Sequence, residues 1–386
     1  MLQPQAYDFI DQKVLGNPHP FYAQLRASRP LYPYMLQGEQ RAWIVTNYAL
    51  GQDILKDPRF VKDQRHTLNG QEQQKPRPRD AELLSPLLNS LISMDPPDHT
   101  RMRHLISKAF TPRMIEQLRP RIQQITDELL DALEPRGAID LISDFAFPLP
   151  ITVISEMLGI PSEDRQQIRS WSSMLNTGLD PSAGPFDVSA ETINLINYLR
   201  TFTVHKRLHP GDDLTSSLAQ VEEGGDKISE NELTSMLWLL IFAGHETTVN
   251  LIGNGTLALL QHPEQMRMLQ RDLSLVPSAV EEFLRYTAPV TTTPPRWASE
   301  DIVIGEKASS EASWSSSLWS VPIPIQSNSQ SQRGWISPVR RTGISPLARA
   351  FITVLALRWL AWRLRSPLQA YCNACPICAW PLSLRS

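Results

Sequence analysis

Cysteine is nearly absent from this chain of 386 residues. Only three occur, Cys372, Cys375 and Cys378, and all of them lie close to the C-terminal end. The main body of the protein therefore has no disulfide framework. The spacing of the three cysteines resembles part of an iron–sulfur or zinc ligand set, but a fourth ligand is missing. The sequence thus predicts no metal site on these residues.

A strong charge imbalance and long apolar runs are also missing. The formal net charge is −3 and charged residues make up 20% of the chain, which favours neither a nucleic-acid surface nor a polybasic membrane contact. Met1 to Ile10 lacks the basic start and apolar run of a signal peptide. The best candidate for a membrane span, Phe351 to Leu364, is shorter than the roughly 18 residues required and contains Arg358 and Arg363. We therefore expect a cytoplasmic protein without a membrane anchor, whose partner is a small molecule or another protein.

Acidic residues become scarce toward the C-terminus. From Lys307 onward Glu311 is the only acid, and serine crowds the stretch from Ser309 to Ser317. This abrupt change in composition divides the chain into a domain of residues 1–306 and an aberrant tail of residues 307–386.

Helical signals dominate the part before this boundary. Thr111 and Pro112 form a cap and first-turn pair ahead of apolar residues at three-to-four spacing. Gly159 indicates the end of another helix. Alternating or β-branched runs predict only short strands, at Ala42 to Thr46 and Asp301 to Ile304. The expected fold class is mainly α with a small β portion.

The longest helix is predicted to begin after Ser229, which can form a capping box with Glu232. It continues to about Gln261, before His262 and Pro263 end it. Such a helix is roughly 50 Å long, enough to cross a domain. Its apolar composition predicts that it is buried.

Two short motifs carry the chemistry. The long helix contains the run Ala243-Gly244-His245-Glu246-Thr247-Thr248, in which glycine indicates a kink or a close neighbour and threonine can bond back to a carbonyl one turn earlier. Further on, Glu282 and Arg285 stand at i,i+3 spacing, which by itself is typical of a solvated ion pair. Alone, the first motif fits an ordinary buried helix.

Together the two motifs resemble the signature of the cytochrome P-450 family, with its oxygen-binding groove followed by an E-x-x-R helix. The run from Asp95 to Arg103 resembles the family's helix that supplies haem propionate partners, and Pro295 to Ala298 resembles its propionate-binding strand. Weaker strings occur in the order of bacterial members of the family. They are Asn17 to Tyr22, Trp43 to Thr46 and Asp212 to Leu214.

The resemblance implies roles for individual residues. Ala243 and Gly244 would lie against the cofactor, while Glu246 and Thr247 would relay protons to bound dioxygen. The alternative for the last two is a purely structural role. His245 is a conceivable iron ligand, but the resemblance puts this helix on the distal side of the haem.

Further roles concern charged residues. His99, Arg103 and Arg296 would bind the haem propionates, since buried carboxylates require strong donors; otherwise they are ordinary surface charges. Glu282 and Arg285 would form a structural pair that locks the helix behind the haem.

One family element is absent from the sequence. The family holds haem iron through a cysteine in a loop of the form F-x-x-G-x-x-x-C-x-G, and this chain has no such loop. Read in another frame, the codons for Ile344 to Ala356 are compatible with H-L-A-F-G-K-G-I-H-H-C-L-G, which matches the loop. Its cysteine codon would straddle Thr353 and Val354. We interpret the tail as a frame-shifted product, and expect Ser309 to Gln332 to lack stable structure.

The resemblance implies a haem-thiolate monooxygenase that inserts one oxygen atom from O2 into an apolar small molecule. Haem b would be the cofactor, and a ferredoxin-type protein would donate electrons. Because the thiolate ligand is absent, the alternative is an inactive product of a damaged gene. A third possibility, an iron–sulfur module on the tail cysteines, is disfavoured by its incomplete ligand set.

Overall fold

The computed structural model describes residues 18–28, 31–36, 40–66, 86, 89–136, 138–178, 190–290, 293–300, 302, 304 and 318–320. The apolar segment Phe351 to Leu364, the codons proposed to restore the cysteine loop and the three cysteines lie outside these residues.

The described residues are mainly helical, which confirms the expected fold class. The α-helices are α1 (Pro18–Ser28), α2 (Tyr48–Lys56), α3 (Asp98–Ala109), α4 (Pro112–Leu133), α5 (Pro148–Leu158), α6 (Arg165–Gly178), α7 (Ala190–Leu208), α8 (Leu214–Gln220), α9 (Glu230–Gln261), α10 (Pro263–Arg271) and α11 (Val276–Tyr286). Short 3-10 turns span Gln64–His66, Leu91–Ser93, Ser162–Asp164 and Leu273–Leu275, and a π-helical turn, Ile142–Ala146, precedes α5.

The β portion is small, as expected. The strands are β1 (Leu31–Leu36), β2 (Gln40–Val45), β3 (Phe60–Val61), β4 (Glu222–Glu223), β5 (Asp226–Lys227), β6 (Arg296–Ala298) and β7 (Leu318–Ser320). One sheet has the order β1-β2-β7-β6-β3, and β4 pairs with β5 in a second. The pair β2 and β7 is parallel, whereas the other pairs are antiparallel.

The strand predicted at Asp301 to Ile304 is wrong, and the expected lack of structure from Ser309 to Gln332 is wrong at the three residues of that range that the structure describes. Ile302 and Ile304 do not lie in a strand. The strand comes earlier, at β6, and the apolar side chain of Ile302 is buried in the core without taking part in a ladder. The tail also contributes a strand, since Leu318–Ser320 pairs with both β2 and β6. Backbone groups of two neighbouring strands can pair with an extended segment regardless of its side chains.

The chain divides into two compact units. The first contains the five-stranded sheet, and its core includes Val45, Ile54, Phe60, Ala298 and Ile302. The second contains α4 to α11, and its apolar core draws on several of these helices. Members of that core include Ile122, Phe145, Leu149, Leu251, Val280 and Phe283.

Helix α9 organises the second unit. Ser229 accepts a hydrogen bond from the backbone of Glu232, whose side chain accepts one from Ser229 N, so the predicted capping box is confirmed. The helix packs against α5, α7 and α11. By length and composition it could also cross a membrane, which corrects the expectation that no segment is long and apolar enough. A buried core helix meets the same criterion, and its contacts within the unit account for its composition.

Candidate functional site

One side of α9 is buried around the sequence motif, and another side is more open. Leu237, Ile241, His245 and Val249 are buried, whereas Ala243 is exposed. Half-buried side chains continue the stripe of Ala243 in both directions at helical spacing. They are Leu239, Glu246, Thr247 and Asn250. The sequence motif therefore lies at the centre of an open stripe.

Two backbone carbonyls of α9 accept side-chain hydrogen bonds at this stripe. The Thr247 hydroxyl donates to the Ala243 carbonyl at 2.6 Å, and the Thr248 hydroxyl donates to the Gly244 carbonyl at 2.8 Å. Such back-bonds compete with the helical ladder and often bend a helix. The hydroxyl proton of Thr247 is thereby committed to the backbone, so its oxygen is left to accept a hydrogen bond.

Gly244 has the close neighbour that the sequence predicts. A Cβ at this position would lie 2.8 Å from Cδ1 of Ile154 on α5, which is too close for two carbon atoms. The glycine thus allows α5 to approach α9. This contact is a packing role, and the role of Gly244 in binding a cofactor stays a prediction.

Glu246 is the acidic residue of the stripe. Its side chain is half-buried, and burial raises the pKa of its carboxyl group. A carboxylic acid whose pKa moves toward neutrality can exchange protons under physiological conditions.

His245 faces away from the open stripe. Only 3% of the residue is exposed, and its ring packs edge-on against Phe147 with 4.3 Å between centroids. Burial lowers its pKa to about 4, partly offset by a hydrogen bond to the backbone of Phe147. Among the described residues Nε2 has no partner, so Nδ1 donates this bond. The imidazole is neutral and directed into the core, an orientation that does not suit a ligand on the open face.

Glu282 and Arg285 form a buried pair on α11. Arg285 donates through Nε to Oε2 at 2.7 Å and through Nη2 to Oε1 at 2.6 Å. The side chains of Glu282 and Arg285 are only 7% and 18% exposed, respectively. This arrangement fits the structural role predicted for the pair.

A cluster of basic side chains forms in the first unit. His99 and Arg103 lie one helical turn apart on α3, and Arg296 begins β6. Burial lowers the pKa of His99, and the charges of Lys62, Arg103 and Arg296 lower it further. The charges of Arg103 and Arg296 thus both act on the imidazole of His99. We name His99, Arg103, Arg296 and Lys62 the basic cluster.

Sequence analysis missed Lys62. It follows β3 and is half-buried, and the pKa of its ammonium group is lowered by burial and by the charge of Arg296. Among the described residues, no carboxylate forms an ion pair with any member of the basic cluster. Lys62, His99 and Arg296 are half-buried, whereas Arg103 is exposed. Basic side chains without paired carboxylates suit an anionic ligand, and the two propionates of haem have the required charge.

Comparisons with known proteins agree with these features. The family profile described as Cytochrome P450 matches residues 191–308. "Cytochrome P450 CYP107DY1" of Priestia megaterium is 52% identical over 274 residues, which cover 69% of this chain and 66% of that protein. "Vitamin D(3) 25-hydroxylase" of Pseudonocardia autotrophica is 44% identical over 299 residues, which cover 77% and 71%. The chain thus spans about two thirds of the length of these relatives.

A solved structure extends the similarity to the fold. The cytochrome P450 PksS of the bacillaene polyketide synthase of Bacillus subtilis 168 superposes with a TM-score of 0.77 at 33% identity. The match covers 94% of this chain and 92% of that one. With relatives at this identity and coverage, the chain belongs to the cytochrome P450 family of haem proteins.

Proposed function

We propose that this chain carries the scaffold of a haem monooxygenase that inserts one oxygen atom from O2 into an apolar small molecule. The observation that carries the proposal is the open stripe of α9, where the acid Glu246 and the hydroxyl of Thr247 adjoin the exposed Ala243. Bound haem would supply the activation of dioxygen. The reaction also consumes protons and electrons, and a ferredoxin-type protein of the cytoplasm would supply the electrons.

The residues of the stripe suit proton delivery. Because burial raises the pKa of Glu246, its carboxyl group can take up and release a proton in a dry environment. The Thr247 hydroxyl donates a hydrogen bond to the Ala243 carbonyl, so its oxygen can accept a hydrogen bond from the side of the ligand. The small side chain of Ala243 leaves room for the ligand.

The basic cluster suits the carboxylates of the cofactor. His99, Arg103 and Arg296 would bind the propionates of haem b. Two of the relatives are named as hydroxylases, "Vitamin D(3) 25-hydroxylase" and "6-deoxyerythronolide B hydroxylase", which supports oxygen insertion as the reaction.

The described part of the protein does not supply the cysteine that holds haem iron in this family. No cysteine precedes Cys372, and the loop that would hold the iron through a thiolate is missing from the sequence. We propose that residues 307–386 are a frame-shifted readout and that this chain, as translated, does not hold haem iron through cysteine. The family profile matches up to residue 308, which supports a boundary near Lys307. The chain as translated would then be inactive.

Sequencing the gene across the codons for Glu306 to Ala312 tests the frameshift directly. An intact frame there, with codons incompatible with a cysteine across Thr353 and Val354, would contradict it. The purified chain with haem should also lack the red-shifted carbon-monoxide band of thiolate-ligated haem. A chain with the frame restored should show that band and oxidise an apolar substrate. Absence of both from a folded, haem-bound restored chain would exclude the monooxygenase function.

A further inference from the structure

The short ladder between β3 and β6 brings two positive charges together. Phe60 pairs with Ala298 and Val61 with Trp297, so the register, continued by one residue, sets Lys62 opposite Arg296. Lys62 lies in the bend that directly follows β3, and the charge of Arg296 acts on its ammonium group. Like charges directly opposite one another destabilise a sheet. The ladder therefore holds an unfavourable pair.

Asp95 fixes this position. Its carboxylate accepts hydrogen bonds from Lys62 N at 2.9 and 3.0 Å and from Asp63 N at 2.8 Å, and it contacts His66 Nδ1 at 3.3 Å. Its side chain is only 10% exposed. The Asp95 carbonyl also accepts from His99 N at 3.0 Å, at the start of α3. Asp95 thus ties the backbone of Lys62 to the helix that carries His99 and Arg103.

The charges of the basic cluster are poorly compensated. The pKa values of Lys62, His99 and Arg296 are all lowered, in each case first by burial. Asp95 is the one acid that acts on all three groups, and its oxygens already bind the two backbone amides and His66. Half-buried basic groups of this kind become favourable once a ligand with more than one negative charge binds them.

From this geometry we propose that Lys62 is a fourth partner for the carboxylates of the bound cofactor, with Asp95 as the positioning residue that holds it opposite Arg296. The proposal rests on the proposed function, in which the ligand is haem with its two propionates. Lys62 would contribute an ammonium group from the strand side of the cluster, while His99 and Arg103 contribute from α3.

The first test measures the effect of Lys62→Met on the protein without haem and on its binding of haem. In the full chain without haem, Lys62→Met should raise the midpoint of thermal unfolding, because it removes the repulsion with Arg296. Added salt should reduce this gain by screening the repulsion. With haem, followed by its absorbance spectrum, the same substitution should weaken binding about tenfold or more. Lys56→Met, an exposed position at the end of α2, should change neither quantity.

A second ligand identifies the interacting group. Haem dimethyl ester has the same ring without the charged carboxylates, so Lys62→Met should not alter its binding. Equal weakening for haem and for the diester would show that Lys62 acts through packing, and would overturn the proposal. Unchanged binding of haem would overturn it as well.

Asp95→Asn tests the positioning role. The substitution should weaken haem binding, and the double variant with Lys62→Met should bind no more weakly than Lys62→Met alone, since both act through the same ammonium group. Additive losses would contradict positioning through Lys62.

A failure of the proposed function gives a different result from a failure of the role of Lys62. If the unmodified chain binds neither haem nor its diester, the cofactor assignment fails, and inorganic pyrophosphate becomes the probe. Pyrophosphate should then raise the thermal midpoint of the unmodified chain but not of Lys62→Met. Equal effects on both chains would overturn the role of Lys62 independently of haem.

Discussion

Arg285 binds both carboxylate oxygens of Glu282 through parallel hydrogen bonds of 2.7 and 2.6 Å, in a setting where both side chains are largely buried. Arg119 and Glu116 have the same spacing and a similar bidentate contact, at 3.0 and 3.1 Å. Their side chains, however, are 40% and 63% exposed. The two pairs therefore differ in burial and not in spacing.

Arg285→Met should reduce the free energy of unfolding by roughly 3–5 kcal/mol, because Glu282 is left buried without its main partner. Urea unfolding of the full chain measures the loss. Arg119→Met is the matched control and should change the stability by no more than about 0.5 kcal/mol. Similar small losses for both variants would show that the Glu282 pair behaves as a surface pair.

Features encoded in adjacent residues could be predicted from the sequence. The capping box of Ser229, the cap at Thr111 and the helix end at Gly159 are all found in the structure, because each depends on residues within a few positions of one another. The close neighbour of Gly244 was also predicted, although its identity, Ile154, was not.

Features that depend on distant pairing could not be predicted in this way. The strand predicted at Asp301 to Ile304 rests on a run of β-branched residues, and such apolar residues are buried with or without a ladder. Lys62 was missed because nothing in its local sequence distinguishes it from a surface lysine. Only the register between β3 and β6 and the contacts of Asp95 reveal its position.

Gly159→Ala should be strongly destabilising. Gly159 has φ +71°, and a Cβ there would lie 2.5 Å from the carboxyl group of Asp213. That carboxylate caps α8 at Ser216 N and pairs with Lys206 at 2.6 Å. The left-handed backbone costs alanine about 1–2 kcal/mol, and displacing the cap adds about 1 kcal/mol. Chemical denaturation should show a total loss of about 2–3 kcal/mol.

Gly224→Ala is the control for the backbone contribution. Gly224 has φ +57°, and a Cβ there would meet no heavy atom within 4 Å. Only the conformational cost of about 1–2 kcal/mol therefore applies. Equal losses at the two glycines would show that the contact with Asp213 contributes nothing.

Glu156→Gln should reduce stability by about 1.5–3 kcal/mol at neutral pH, the range for hydrogen bonds to charged groups. Glu156 accepts from Nε and Nη2 of Arg121, both at 2.7 Å, and from Arg165 at 3.0 Å. The hydrogen bond from Arg121 is the main reason that its pKa lies below the usual 4.5. Its contribution is therefore present above pH 4.5 and is lost as the pH falls through the lowered pKa.

The measurement is urea unfolding of both chains as a function of pH. The difference between them should narrow below about pH 4.5. Glu128→Gln is the control, since Glu128 contacts Arg121 only at 3.5 Å, and it should cost less than about 1 kcal/mol. A difference between wild type and Glu156→Gln that stays constant with pH would contradict the assigned charge.

His245 should make the second unit sensitive to mild acid. Burial lowers its pKa from 6.5 to about 4 in the folded chain. Between these values the unfolded chain binds a proton that the folded chain does not, so stability is complete above pH 6.5 and falls as the pH decreases toward 4. Each pH unit corresponds to about 1.4 kcal/mol, giving a total loss of roughly 3 kcal/mol.

The variant His245→Asn removes the titration, while the amide of Asn can still donate to the Phe147 carbonyl. The free energy of unfolding of this variant should therefore fall less across this pH interval. His209→Asn, at an exposed position, should retain the slope of the wild type. Parallel curves for wild type and His245→Asn between pH 6.5 and 4 would mean that the imidazole is not held neutral by burial.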